Sequence, residues 1–193
     1  EYYSEDPVVS GEMAASWIKG VESEGVGTSL KHFAANNQEY KRLISDSIMD
    51  ERTLREIYLS SFERAVKKGN PATVMCSYNK INGVYSSDNK YLLTDILRKE
   101  WGWNGCVITD WGALHDRIKG YEAGCDLSMP GGSVYMEKAT LKALKEGRLD
   151  EKLIDDSVER ILTLVERSEN NRPEEVDWDK HYTLALRRSE ERR

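Results

Sequence analysis

The sequence predicts an α/β fold with parallel strands, and three observations carry that reading. Segments of helical and strand-like period alternate: one opening helix is followed by four strand–helix units, and strands that return through helices are joined by crossovers and run parallel. The strand segments are short apolar runs, Cys106-Val107-Ile108-Thr109 the clearest of them, as expected of a sheet covered on both faces. Breakers such as Gly69-Asn70-Pro71, Gly102 and Pro130-Gly131-Gly132 separate the units. An open doubly wound sheet satisfies this pattern, and so does half of a (β/α)₈ barrel.

Asp6-Pro7 supplies a capping side chain and a proline at the first helical position. Met13, Trp17, Ile18 and Val21 then recur at helical spacing, and Gly25 and Gly27 end the helix. A strand is expected over 28–33. The next helix spans 50–68, with Leu54, Ile57, Tyr58, Phe62, Ala65 and Val66 as its apolar stripe. Residues 72–78 read as a buried strand. The turn-rich stretch 79–89 leads to a helix with Leu92, Leu93, Ile96 and Leu97 inward. The strand 105–110 is followed by a short helix near 114–121 and a brief strand at 125–128. Helices over 134–146 and 151–167 close the region, the second turning Leu153, Ile154, Val158, Ile161, Leu162 and Val165 to the core. Residues 168–178 are polar, contain Pro173 and read as a linker. Residues 179–193 read as a further helix. Trp17, Trp101 and Trp103 are expected to pack helices against the sheet.

The chain of 193 residues is 39% hydrophobic and 32% charged, an ordinary globular balance. A net charge of −6 argues against nucleic acid as a partner. No apolar run reaches the ~18–20 residues that span a bilayer, and no leader segment is visible. The three cysteines, Cys76, Cys106 and Cys125, lie in or beside apolar runs. Their odd number and the lack of a close cysteine pair oppose a disulfide framework or a zinc site. Buried reduced thiols are expected, which favours a cytoplasmic setting and leaves a secreted or periplasmic one open.

Polar residues fall at the carboxyl ends of the strands: Lys31 and His32, Tyr78, and Asp110 with Trp111; Asp126 lies within the fourth. That end of an α/β barrel carries the active site. Asp110 closes an apolar strand and needs hydrogen bonds or a cation to stay ionised, which Lys31 and His32 could supply. A buried carboxylate beside a tryptophan suits a glycosidase nucleophile. Position alone equally allows Asp110 to cap the helix that follows. Lys31 could form a Schiff base in a barrel aldolase or lyase, and His32 could be a core histidine. A non-catalytic carbohydrate-binding remnant is a third reading.

Longer motifs reduce these choices. Lys31-His32-Phe33-Ala34-Ala35-Asn36-Asn37-Gln38-Glu39, Cys76-Ser77-Tyr78-Asn79 with Asn82-Gly83, Thr109-Asp110-Trp111-Gly112 and Gly124-Cys125-Asp126-Leu127-Ser128-Met129-Pro130 together resemble the motif series of family 3 glycoside hydrolases. Glu5-Asp6-Pro7 and the run from Arg55 to Leu59 also fit. The motifs follow family order across most of 1–166. The resemblance implies the C-terminal half of a TIM-type (β/α)₈ barrel over 1–167, with 168–193 holding a linker and the first helix of a following domain. It implies Asp110 as nucleophile, Lys31, His32, Tyr78 and Trp111 at the sugar, Met129 lining the pocket, Asp126 bracing a loop, and no metal or organic cofactor.

Two departures refine the expectation. The β-N-acetylglucosaminidase branch carries KHFPGHG, whereas residues 33–40 here contain no histidine. That favours a β-glucosidase, with a β-xylosidase as the alternative. The family's acid/base glutamate usually comes from a later domain, and an aspartate and an arginine for the sugar hydroxyls come from earlier strands. The chain is therefore expected to be an inactive fragment of a retaining β-glucosidase. With strand edges and an apolar flank uncovered, it is expected to self-associate or to need a partner.

Overall fold

A computed structural model of the chain describes residues 3–169 and 176–191. Helix α1 spans Pro7–Glu22, with the Asp6 carboxylate accepting from the Val8 and Val9 amides at its start. Strand β1 is Ser29–Phe33 and β2 is Asp46–Ser47. The long predicted helix forms in three pieces: α2 (Glu51–Thr53), a π-helical turn Leu54–Tyr58, and α3 (Ser60–Gly69). Strand β3 is Thr73–Cys76, and the hairpin β4 (Lys80–Ile81) and β5 (Val84–Tyr85) follows. A π-helix covers Tyr91–Glu100 and leads to β6, Cys106–Thr109. Helices α4 (Arg117–Ala123), α5 (Val134–Lys145), α6 (Glu151–Glu169) and α7 (Trp178–Glu190) complete the described chain.

The main sheet has the order β1-β3-β6, parallel throughout. A fourth parallel position is a single bridge from Ile108 to Leu127, where the sequence predicts a strand. Phe33, Val74, Cys76 and Val107 from the sheet meet Leu59, Phe62, Leu92, Leu93, Ile96 and Leu97 in one core. Phe33 sits edge-on to Phe62, with ring centroids 5.1 Å apart. Trp101 and Trp103 pack there as expected, the Trp103 indole donating to the Pro71 carbonyl at 3.0 Å. The second sheet has the order β2-β4-β5; β4 and β5 fall in the stretch 79–89 that reads as turn-rich, and β2 in a stretch given no element. Its two-residue strands are too short to show a period.

Three expected core faces shift. In α1 the buried side carries Ser10, Gly11, Ala14, Ala15 and Ile18, while Met13 is 51% and Trp17 62% exposed. The small residues let α1 lie close against α3: a Cβ on Gly11 would come within 2.8 Å of the Arg64 Cβ. In the second helix Ile57 is exposed and Leu59 buried. The π turn, closed by a bond from the Leu59 amide to the Leu54 carbonyl, adds a residue and rotates the stripe. On α6, Val158, Leu162 and Val165 are exposed.

Helix α6 instead spans the amino ends of the strands. Arg160 reaches Asp126, and Arg167 pairs with Glu22, whose carboxylate accepts from the Thr28 and Ala72 amides beside β1 and β3. The predicted linker lies partly outside the described residues: α6 continues to Glu169, residues 170–175 are not described, and α7 begins at Trp178. All three cysteines are buried and free. Burial pushes the Cys106 thiol up to about 12. Among the described residues, no helix is long and apolar enough to cross a membrane.

Asp126 is 1% exposed and ties these parts together. Its Oδ2 accepts from Arg98 Nη2 and from the Val107 amide, each at 2.8 Å, and its Oδ1 accepts from Arg160 Nε at 2.9 Å. Asp126→Ala leaves two arginines facing a void, and removing one partner of a buried pair costs about 3–5 kcal/mol. Urea unfolding of the variant is expected to show a loss of that size, and a midpoint equal to the unsubstituted chain's would contradict this account.

Candidate active site

The carboxyl ends of β1, β3 and β6 bring the expected residues to one place. Asp110 follows β6 directly, and its amide donates to the Cys76 carbonyl at the end of β3 at 3.3 Å. One carboxylate oxygen accepts from the Trp111 amide at 2.6 Å. The other lies 3.4 Å from His32 Nε2, and the two side chains are only 16% and 17% exposed. The Tyr78 hydroxyl donates to the Trp111 carbonyl at 2.9 Å. Burial, with the Asp110 carboxylate beside it, pushes the Tyr78 phenol above its usual range. At neutral pH Tyr78 is therefore a donor.

The alternative of a helix cap falls. Helix α4 starts at Arg117, later than expected, and Asp116 caps it by accepting from the Ile118 and Lys119 amides. The Asp110 carboxylate is left facing His32 and Tyr78. The neighbour of the carboxylate differs in part from expectation: His32 lies beside it, whereas Lys31, one residue earlier, is exposed. The register of β1 against β3 shifts between Leu30 and Phe33, so the two residues do not follow a regular alternation. Nor is β1 adjacent to β6: β3 lies between them, so the histidine and the aspartate converge over its end.

Trp111 is 67% exposed and presents its ring to solvent beside Asp110. Met129 is half-buried. Its backbone holds the same loop: the Met129 amide donates to Thr109 Oγ1 at 2.8 Å, and its carbonyl accepts from the Gly112 amide at 2.7 Å. Asp126 belongs to the opposite end of the strands, level with Val107, where barrel residues serve stability.

Several supporting residues were not individually visible in the sequence. The Asn79 amide donates to the Ala34, Ala35 and Lys80 carbonyls, and Ser77 Oγ donates to the Ala34 carbonyl. These buried groups hold the turn after His32. Glu39 accepts from Asn36 and Arg42, and the Arg42 guanidinium lies 4.5 Å from the centre of the Tyr78 ring. The signal for Ser77 and Asn79 was the motif around Tyr78; for Arg42 there was none.

The chain resembles known proteins in sequence and fold. The model for the family described as glycosyl hydrolase family 3, N-terminal domain, matches residues 1–164. The chain is 54% identical over 187 residues to thermostable beta-glucosidase B of Acetivibrio thermocellus, covering 96% of this chain and 25% of that protein. It is 49% identical over 168 residues to an exo-alpha-(1->6)-L-arabinopyranosidase of Bifidobacterium breve, covering 87% and 22%. The crystal structure of a family 3 beta-glucosidase from Bifidobacterium adolescentis superposes with a TM-score of 0.87 at 45% identity, covering 96% of this chain and 28% of that one. Beta-glucosidase 3B from Thermotoga neapolitana in complex with alpha-D-glucose superposes with a TM-score of 0.83 at 46% identity, covering 96% and 27%. The chain thus spans about a quarter of the length of these relatives.

Tyr78→Phe deletes the donor to the Trp111 carbonyl and is expected to cost about 1 kcal/mol of stability. Urea unfolding of the two chains measures it, and an unchanged midpoint would show that the hydroxyl does not hold the loop.

Proposed function

The chain belongs to glycosyl hydrolase family 3, and from that premise we propose that it supplies the nucleophile side of a retaining β-glucosidase. One observation carries the reading: the Asp110 carboxylate emerges from β6, faces His32 at 3.4 Å and caps no helix. In the proposed reaction an Asp110 oxygen bonds to the anomeric carbon as the bond to the aglycone oxygen breaks. The departing oxygen takes a proton from an acid outside residues 1–193. Water then attacks the glycosyl–Asp110 ester and releases the sugar with retention.

His32 and Tyr78 flank the carboxylate and aim it. Trp111 offers its exposed ring to the sugar face, Lys31 reaches sugar hydroxyls from β1, and Met129 lines the pocket. The chemistry needs no metal or organic cofactor. Membership in a hydrolase family removes the reason to read Lys31 as a Schiff-base lysine. The arabinopyranosidase relative at 49% identity supports a second reading, a pentosidase acting through the same carboxylate.

We assign residues 1–167 to the second half of a (β/α)₈ barrel, and 168–193 to a linker and the first helix of a following domain. Unpaired outer edges on β1 and at Leu127, among the described residues, support the half barrel, as do exposed Trp17, Val158 and Leu162 on its flanks. The α7 residues Trp178, Tyr182 and Leu186, also exposed, support a domain beyond. Buried free cysteines favour a cytoplasmic setting.

Two experiments test this. In the full-length protein, a 2-deoxy-2-fluoro-β-glucoside with a good leaving group is expected to label Asp110, and Asp110→Asn to lower kcat by at least ~10³-fold. Labelling of a different residue rejects Asp110 as nucleophile, and faster turnover of an aryl α-L-arabinopyranoside or β-xyloside than of the glucoside favours the pentosidase. The purified 193-residue chain alone is expected to self-associate and to show no turnover of an aryl β-glucoside. An active chain, or a monodisperse monomer by light scattering, counts against the half barrel.

A further inference from the structure

Residues 110–116 leave β6 without regular structure and reach α4 only at Arg117. Trp111 and Gly112 are exposed, and Gly112 takes a φ of +77°, a conformation open to glycine at little cost. The loop carries Asp110; its middle residues Ala113 and Leu114 are buried, whereas His115 at its outer end is exposed. It is held at alternate residues by the segment that follows β3. Tyr78 donates to the Trp111 carbonyl at 2.9 Å, and Ser87 Oγ to the Ala113 carbonyl at 3.2 Å. The Tyr85 ring stacks on the His115 ring, with centroids 3.4 Å apart and planes 12° from parallel.

The first two contacts engage backbone and place no demand on the side chains at 111 and 113. The third depends on side chains at both ends. Lys80 Nζ lies 4.8 Å from the Tyr85 ring centre, so the hairpin brings a cation to the same ring. Burial, reinforced by Lys80 and opposed by Asp88, holds the His115 imidazole below its usual range. The ring is uncharged at neutral pH and stacks as a plain aromatic.

We infer that Tyr85 and His115 are positioning residues for the Asp110 carboxylate, their ring stack fixing the outer end of the 110–116 loop so that Asp110 meets His32 and Tyr78. Both act on Asp110 through the loop that joins it to His115. This rests on the reading of Asp110 as the nucleophile.

The test uses the full-length protein and the rate constant for labelling by 2-deoxy-2-fluoro-β-glucosyl fluoride. In that step an Asp110 oxygen bonds to the anomeric carbon and fluoride leaves. The rate constant does not depend on how much of a preparation is folded, so a merely structural role would not move it. Tyr85→Ala and His115→Ala are expected to slow labelling and kcat roughly tenfold, with KM changed far less. His115→Phe, which keeps an uncharged ring, is expected to restore both. Labelling of the variants at the unsubstituted rate, with Asp110 still the labelled residue, overturns the positioning role and leaves the nucleophile standing. Labelling of another residue in the unsubstituted protein removes the nucleophile and this role together. Should His115→Ala fail to fold, equal labelling rates for His115→Asn and His115→Phe overturn the role, and a slow Asn variant beside a fast Phe variant supports it.

Discussion

A single buried carboxylate holds the strands in place. Asp126 accepts from Arg98 on the π-helix, from Arg160 on α6 and from the backbone amide of Val107 at the start of β6. Removing a carboxylate and two guanidinium groups from water is costly, and only close pairing with satisfied hydrogen bonds offsets it. That burden shows on Arg98, whose burial lowers its pKa against the pull of Asp126. Three separate stretches of chain must therefore meet at one point. Because Asp126 precedes Leu127, which bridges to Ile108, the point also sets the register between β6 and the chain beside it. Asp110 and Met129 leave the far end of those two stretches.

The Asp126 cluster and the candidate site thus occupy opposite ends of the same strands. At the amino ends are the Asp126 cluster and the pair of Arg167 with Glu22; at the carboxyl ends are His32, Tyr78 and Asp110. Between them runs a continuous apolar layer of Val74, Cys76, Val107 and the helices above it. The site end has its own scaffold, made of short polar side chains rather than apolar bulk. Ser77, Asn79 and Ser87 bond to backbone carbonyls of the loop that follows His32 and of the loop that carries Asp110. Each buried hydroxyl or amide that bonds a carbonyl both satisfies itself and fixes a loop that lacks regular structure.

The exposed apolar surface follows from the same topology. Among the described residues β1 has a partner on one side, and α1 turns Met13 and Trp17 outward while burying alanines and glycine against α3. An amphipathic helix with a second apolar stripe is what a helix between two neighbours requires. Among the described residues, α3 covers one of the two sides. The stripe on α6 has the same character.

Much of this was legible in the sequence, because the signals are local. Glycine and proline breaks, capping residues and short apolar runs depend on a few neighbouring residues, so the order of helices and strands and their parallel direction could be read directly. The motif around Asp110 singled out the carboxylate for the same reason. What local period could not reveal was anything set by a distant partner. The π turn that exchanges Ile57 for Leu59 in the core, the pairing of two-residue strands, and the choice of Arg98 and Arg160 as partners for Asp126 all depend on contacts far apart in the chain. So does the selection of His32 over Lys31 beside Asp110. Lys31 and His32 are adjacent and both polar, and only the folded sheet, with β3 between β1 and β6, decides which side chain reaches across.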